Sequence, residues 1–226
     1  MTTSLTSSPT IVRPMQNHAV EGWLDLGEER WRSTVGFGPA GFEAYARLRV
    51  VPDPLWPGQC EPEPASADEA MPESEQVELL LHVLLAQSPP QEVHVAVWDG
   101  WGEDLSALPG VDEGWLAGVA RRYRVRRQPR DELLEHGFGD LTPAFVWPQD
   151  RSWCFAFDVD PHWAGMGGSR EFVTAALAIP GLDVVEADRD AEQPHHLRRR
   201  TRTGKIRLPV VVDGCEARRH DARAFP

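Results

Sequence analysis

The chain has 226 residues, 41% of them hydrophobic and 26% charged, with a formal net charge of −12, a composition that places it among soluble globular proteins of one or two domains. Its longest apolar stretch, Leu79 to Ala86, is broken by His82 and is too short for a membrane span, and residues 1–20 lack the basic start and apolar core of a secretory signal. Three cysteines, Cys60, Cys154 and Cys215, are odd in number and widely spaced, which predicts neither a disulfide framework nor a paired-thiol zinc site and makes the cytoplasm the expected location.

Residues 1–22 are rich in Ser and Thr without apolar period and are expected to be disordered. From Phe42 to Val50 apolar and polar side chains alternate, which predicts a half-buried strand ended by Pro52 and Pro54. Residues 52–75 hold six prolines and seven acidic residues with no basic one, so this segment reads as a solvated, flexible acidic loop. Val77, Leu80, Leu81, Leu84 and Leu85 then follow helical spacing, and Pro89-Pro90 stops that helix. Val93, Val95 and Val97 alternate in a strand that closes on Asp99-Gly100-Trp101-Gly102. Residues 103–117 read as an excursion. Tyr123 and Val125 mark another strand, with Arg122, Arg124 and Arg126 on its wet side, followed by a short helix from Asp131 to His136.

Trp153 to Val159 reads as a strand, Gly165 to Gly168 as a glycine loop, Ser169 as an N-cap, and Arg170 to Ile179 as a helix broken by Pro180-Gly181. Leu182 to Ala187 makes a last strand, and Leu208 to Val212 suits one further short strand. Five or six strands with about three helices predict a single α+β domain over residues 23–190 with a mixed β-sheet, followed by a basic tail over 191–226. The charge is divided accordingly. Residues 195–226 hold nine basic and three acidic side chains, a net of +6, and the rest of the chain carries −18. Lys205 is the only lysine, and Arg, Ala, Gly and Pro are abundant, as codon bias in a GC-rich genome produces; the arginine excess is therefore no sign of phosphate recognition.

Several motifs occur in a recognisable order: Gly41-Phe42-Glu43-Ala44-Tyr45, the Trp98-Asp99-Gly100-Trp101-Gly102 turn, Trp147-Pro148-Gln149-Asp150-Arg151-Ser152-Trp153, and Gly167-Gly168-Ser169 before a helix. Over residues 36–190 this order resembles a family of actinobacterial proteins to which no reaction or ligand is assigned. The resemblance implies an actinobacterial source and brings no catalytic residue. The acidic proline-rich segment and the arginine-rich tail fall outside its pattern.

Four groups of residues carry candidate chemistry. Asp158 and Asp160, two apart on a strand end with His162 close behind, have the oxygen and nitrogen donors of a divalent-metal site or a metal-dependent hydrolase; the same residues also suit ordinary hydrogen bonding to a loop. Gly165, Gly167, Gly168 and Ser169 suit an anion held by backbone amides before a helix, although they form neither a P-loop nor a dinucleotide fingerprint, and a tight turn explains them equally. Trp98, Trp101 and Trp163, among nine tryptophans, suit an aromatic rim that anchors a protein partner, or caps on the core. Arg198, Arg199, Arg200, Arg202 and Lys205 suit nucleic-acid contact through the tail, without interleaved aromatics for base stacking. His82 and His94 stand alone, Cys154 reads as a buried strand residue, and no Gly-x-Ser-x-Gly elbow is present. The sequence points to no cofactor. The expected function is a non-enzymatic binding or regulatory module that recognises a protein partner, with the enzyme and nucleic-acid readings as alternatives.

Overall fold

A computed structural model describes residues 23–28, 30–60, 71–101, 105, 109–119, 121–139, 142–158 and 161–197. The described residues form α1 (Trp31–Phe37), β1 (Ala44–Leu48), α2 (Glu73–Gln87), β2 (Glu92–Trp98), β3 (Val111–Ala117), β4 (Arg122–Pro129), α3 (Arg130–His136), β5 (Phe145–Pro148), β6 (Cys154–Ala156), β7 (Ala164–Gly168), α4 (Arg170–Leu177) and β8 (Val184–Glu186). All eight strands join one sheet in the order β3-β4-β2-β5-β6-β7-β1-β8. Every ladder between them is antiparallel, so the α+β body expected from the sequence is built on an antiparallel sheet rather than a mixed one.

Local chemistry explains the helices. Leucines on one side of α2 face the sheet, Glu73 and Glu75 sit at its electropositive N-terminus, and the Ser88 hydroxyl donates to the Leu84 carbonyl at its end. Ser169 caps α4 by accepting from the Phe172 amide at 3.1 Å. Pro129 precedes α3, and Gly137 ends it with a φ of 69°.

The sheet has a core on each side. On one face α2, α3 and α4 cover Val93, Val95 and Val97 of β2, Val146, Phe155, Met166, and Ala46 and Leu48 of β1. On the other, Leu24, Leu26 and Val35 cover Ala96, Tyr123, Val125, Phe145, Trp147, Cys154 and Ala156. Register puts these in line: Ala96 pairs with Val125 and Phe145, Phe145 with Ala156, and Ala156 with Gly165.

Three strands depart from the sequence expectation, and helix α1 has no counterpart in it. The stretch read as an excursion contains β3, Phe145–Pro148 forms β5, and the presumed glycine loop is β7, buried throughout and paired on both sides. The reason for glycine in β7 is helix α1. A Cβ on Gly165 would lie 1.8 Å from the Gly36 carbonyl oxygen, so the strand and the helix backbone approach each other only without side chains. Within the acidic loop, Leu55 to Gln59 form a turn closed by the Gln59 amide donating to the Trp56 carbonyl, and α2 begins at Glu73. The basic segment starts docked: the Leu197 amide donates to the Gln59 carbonyl at 2.9 Å. Residues 1–22, Leu208 to Val212 and the remainder of the tail lie outside the described residues.

Candidate functional site

A concavity of about 820 Å³ lies on the α1 side of the sheet between that helix and residues 189–196. Helix α1 contributes Trp31, Val35 and Phe37, the turn entering β7 contributes His162 and Trp163, and the 189–196 segment closes the remaining wall. Trp163 is half-buried. Its indole nitrogen donates to the Gly36 carbonyl at 3.1 Å, its ring centre stands 6.0 Å from that of Phe37, and the Arg47 guanidinium packs 5.7 Å from its ring centre.

Two buried arginines hold this floor. Arg189 donates from Nε to the Gly38 carbonyl at 3.1 Å, from one terminal nitrogen to Thr34 Oγ1 at 3.3 Å, and from the other to Asp190 at 3.0 Å, tying the closing segment to the end of α1. Arg47 projects from β1 and makes a two-pronged bond to Asp53, both contacts 2.7 Å, while Arg49 reaches the same carboxylate at 3.0 Å. The Arg47 hydrogen bond, aided by Arg49, outweighs partial burial and holds the Asp53 carboxyl below its ordinary range. This fixes the chain at Pro52, whose carbonyl lies 2.8 Å from His196 Nε2. A carbonyl only accepts, so Nε2 carries the hydrogen; Nδ1 is buried without a hydrogen-bond partner. The His196 ring meets that of His162 edge to face, with centres 6.0 Å apart.

Aromatic side chains therefore occupy the cavity floor, imidazoles one wall, and the exposed Arg32, Asp190 and Glu192 its rim. Sequence reasoning found His162 and Trp163 and missed Phe37, Arg189 and His196. No local pattern marks those three, since their role arises from contacts across more than a hundred residues of chain.

The other candidates fall elsewhere. Asp158 has no side-chain exposure; it accepts from the Tyr123 hydroxyl at 2.5 Å and pairs with Arg121, so its oxygens are committed inside the fold. Asp160 lies outside the described residues, while His162 belongs to the cavity. Among the described residues no group of three or more His, Cys, Asp or Glu side chains is placed to hold a metal ion. Gly165, Gly167 and Gly168 lie inside the ladders of β7, where their backbone serves β1 and β6 rather than an anion, and Ser169 is occupied as a cap.

Trp98 flanks the half-buried Arg121, whose guanidinium is 5.0 Å from its ring centre and 5.8 Å from that of Trp31; the side chain of Trp101 lies outside the described residues. Arg198, Arg199, Arg200, Arg202 and Lys205 lie outside them too. His82 is exposed, and His94 Nδ1 stands 2.8 Å from Glu113, which also accepts from Arg127 at 2.7 Å.

Cys154 is buried and free, and burial pushes its thiol well above the ordinary value. Cys60 is disulfide-bonded, a single bond where the sequence predicted no disulfide framework. No helix among the described residues is long and apolar enough to cross a membrane. The chain matches no protein-family profile, no curated protein and no solved structure.

Proposed function

We propose that the chain is a non-catalytic binding module that recognises a protein partner through the cavity between α1 and residues 189–196. The observation that carries this reading is the combination of an aromatic floor, Phe37 and Trp163, with a rim of exposed charges of both signs. That is the anatomy of a protein interface, where a desolvated aromatic centre supplies the binding energy and a polar rim supplies register. Trp163 is the anchor. It is held in one orientation by Gly36 and Arg47, so little ordering entropy is lost when a partner's apolar side chain seats against it.

Of the three tryptophans singled out in the sequence, the geometry favours this one, because Trp163 lines the cavity and Trp98 does not. The same commitment of Asp158 to Arg121 and Tyr123 favours binding over metal-dependent hydrolysis. The test is a photo-crosslinking residue at Ser33, in the cavity wall, with the same residue at the exposed Glu75 on the far side as reference. One protein should be captured from Ser33 and not from Glu75. Reconstituted from purified components, its affinity should fall at least tenfold with Trp163→Ala. Equal capture at both positions, or unchanged affinity in that variant, sinks the proposal.

A further inference from the structure

We propose that the exposed apolar patch formed by Leu55, Trp56 and Leu197 is the docking site of this chain's own C-terminal segment Ile206–Val212. The patch is concentrated where the acidic loop meets the start of the tail. Leu55, Trp56 and Leu197 are 84%, 51% and 42% exposed, and they account for three of the six large hydrophobic residues exposed in the described part of the chain. The patch is also built rather than loose. The Leu55 amide donates to Gln59 Oε1 at 2.6 Å, the Gln59 amide donates to the Trp56 carbonyl, and the Leu197 amide donates to the Gln59 carbonyl, so both strands of the patch are pinned to one glutamine. Leu197 lies against Gly58, its Cδ1 3.9 Å from the position a Cβ would take there.

Three observations select the occupant. The chain leaves the patch itself, since Leu197 bridges to Cys60 and 29 residues follow it. Within those residues Ile206, Leu208, Val210 and Val212 alternate, giving one apolar side suited to an extended segment laid on a small patch, and the nine residues from 197 to 206 span up to about 30 Å, more than enough to fold back.

The covalent chemistry is the second. Cys60, beside Leu197, is disulfide-bonded, Cys154 is free and buried in the sheet, and the chain has three cysteines, which assigns the bond to Cys215, three residues beyond Val212. The apolar segment is thereby bracketed between two points on the patch, Leu197 before it and Cys215 after it. Charge is the third: residues 195–226 carry +6, while residues 52–75 carry seven acidic side chains and no basic one.

The test uses the full chain purified without reductant. Mass mapping of unreduced peptides should find Cys60 joined to Cys215 within a monomer. Amide hydrogen exchange over residues 54–60 should then rise at least threefold both in Cys215→Ser and in Val210→Asp, which leaves the disulfide intact, while exchange in β2 and β5 stays unchanged as the control for folding. Two alkylatable thiols at Cys60 and Cys215, or a bond to a second molecule, overturns the assignment. Exchange that rises in Cys215→Ser alone overturns docking and leaves only a tether.

Discussion

Asp53 shows how one side chain in an acidic, proline-rich segment acquires a structural role. It is the shared acceptor of Arg47 and Arg49, and through Pro52 it positions His196 at the cavity wall. Arg47 has only 7% side-chain exposure, so Asp53→Asn leaves a guanidinium largely out of water and without its counter-charge. The expected cost is about 1–3 kcal/mol, measured by denaturant unfolding at pH 7. The pH dependence has a definite sign. The folded carboxyl titrates below the ordinary aspartate value of 3.8, so its contribution is complete above that value and is lost as pH falls through the folded one. The gap between wild type and Asp53→Asn should therefore narrow as the solution is acidified below about pH 4; a gap that stays constant contradicts the assigned role. Asp158 makes the same point from the other side: a carboxylate at a strand end looks like a metal ligand in sequence and is spent on Arg121 and Tyr123 in the fold.

Among the elements, β7 separates the readings of its glycines most sharply. If Gly165 served an anion, alanine there would cost binding and little stability. In the fold it faces the Gly36 backbone, and an added Cβ would overlap a carbonyl oxygen that cannot turn away as a side-chain tip can. Gly165→Ala is expected to lower unfolding free energy by about 3 kcal/mol or more and to loosen α1, visible as faster amide exchange in Trp31–Phe37. A loss under about 0.5 kcal/mol, within the range of an ordinary surface substitution, counts against this packing. The strand also shows why part of the fold was legible and part was not. In β1 Ala46 and Leu48 alternate with Tyr45 and Arg47, in β2 the valines alternate with His94 and Ala96, in β4 Tyr123 and Val125 alternate with arginines, and α2 repeats leucine at helical spacing, so their periods reveal them. Strand β7 is Ala-Gly-Met-Gly-Gly, with no β-branched residue and no alternation of polarity. Its strand state is imposed by β1 and β6. Likewise α1 has seven residues and no recognisable cap, and the cavity wall it forms depends on Arg189, 151 residues away from the Gly38 carbonyl it binds.

At the scale of the whole molecule, the eight-stranded open sheet of the described residues leaves two edges, and an unpaired edge is a template for a second chain. Both edges here are blunted. Strand β8 has three residues, too few to support a stable intermolecular ladder. Strand β3 is longer but slips register between Asp112 and Gly114, where Gly114 takes a φ of 93°, so the edge bends before it offers a straight run of amides. Asp112 and Glu113 at that bend are already paired with Arg124, Arg126 and Arg127 of β4, so the charge that opposes association is the net −12 of each chain rather than a local row of carboxylates. The sheet should therefore not be a route to self-association. Sedimentation or light scattering at about 100 µM and low ionic strength should return the 25.3 kDa mass of one chain, and adding salt to screen the charge should leave it there, because the bulge and the short strand are geometric barriers that screening does not remove. A dimer that forms only in high salt would show that charge alone guards the edges. A dimer at every ionic strength, dissociated by proline at Trp115 in the straight part of β3, would show that the edge is open and that this strand is a binding surface.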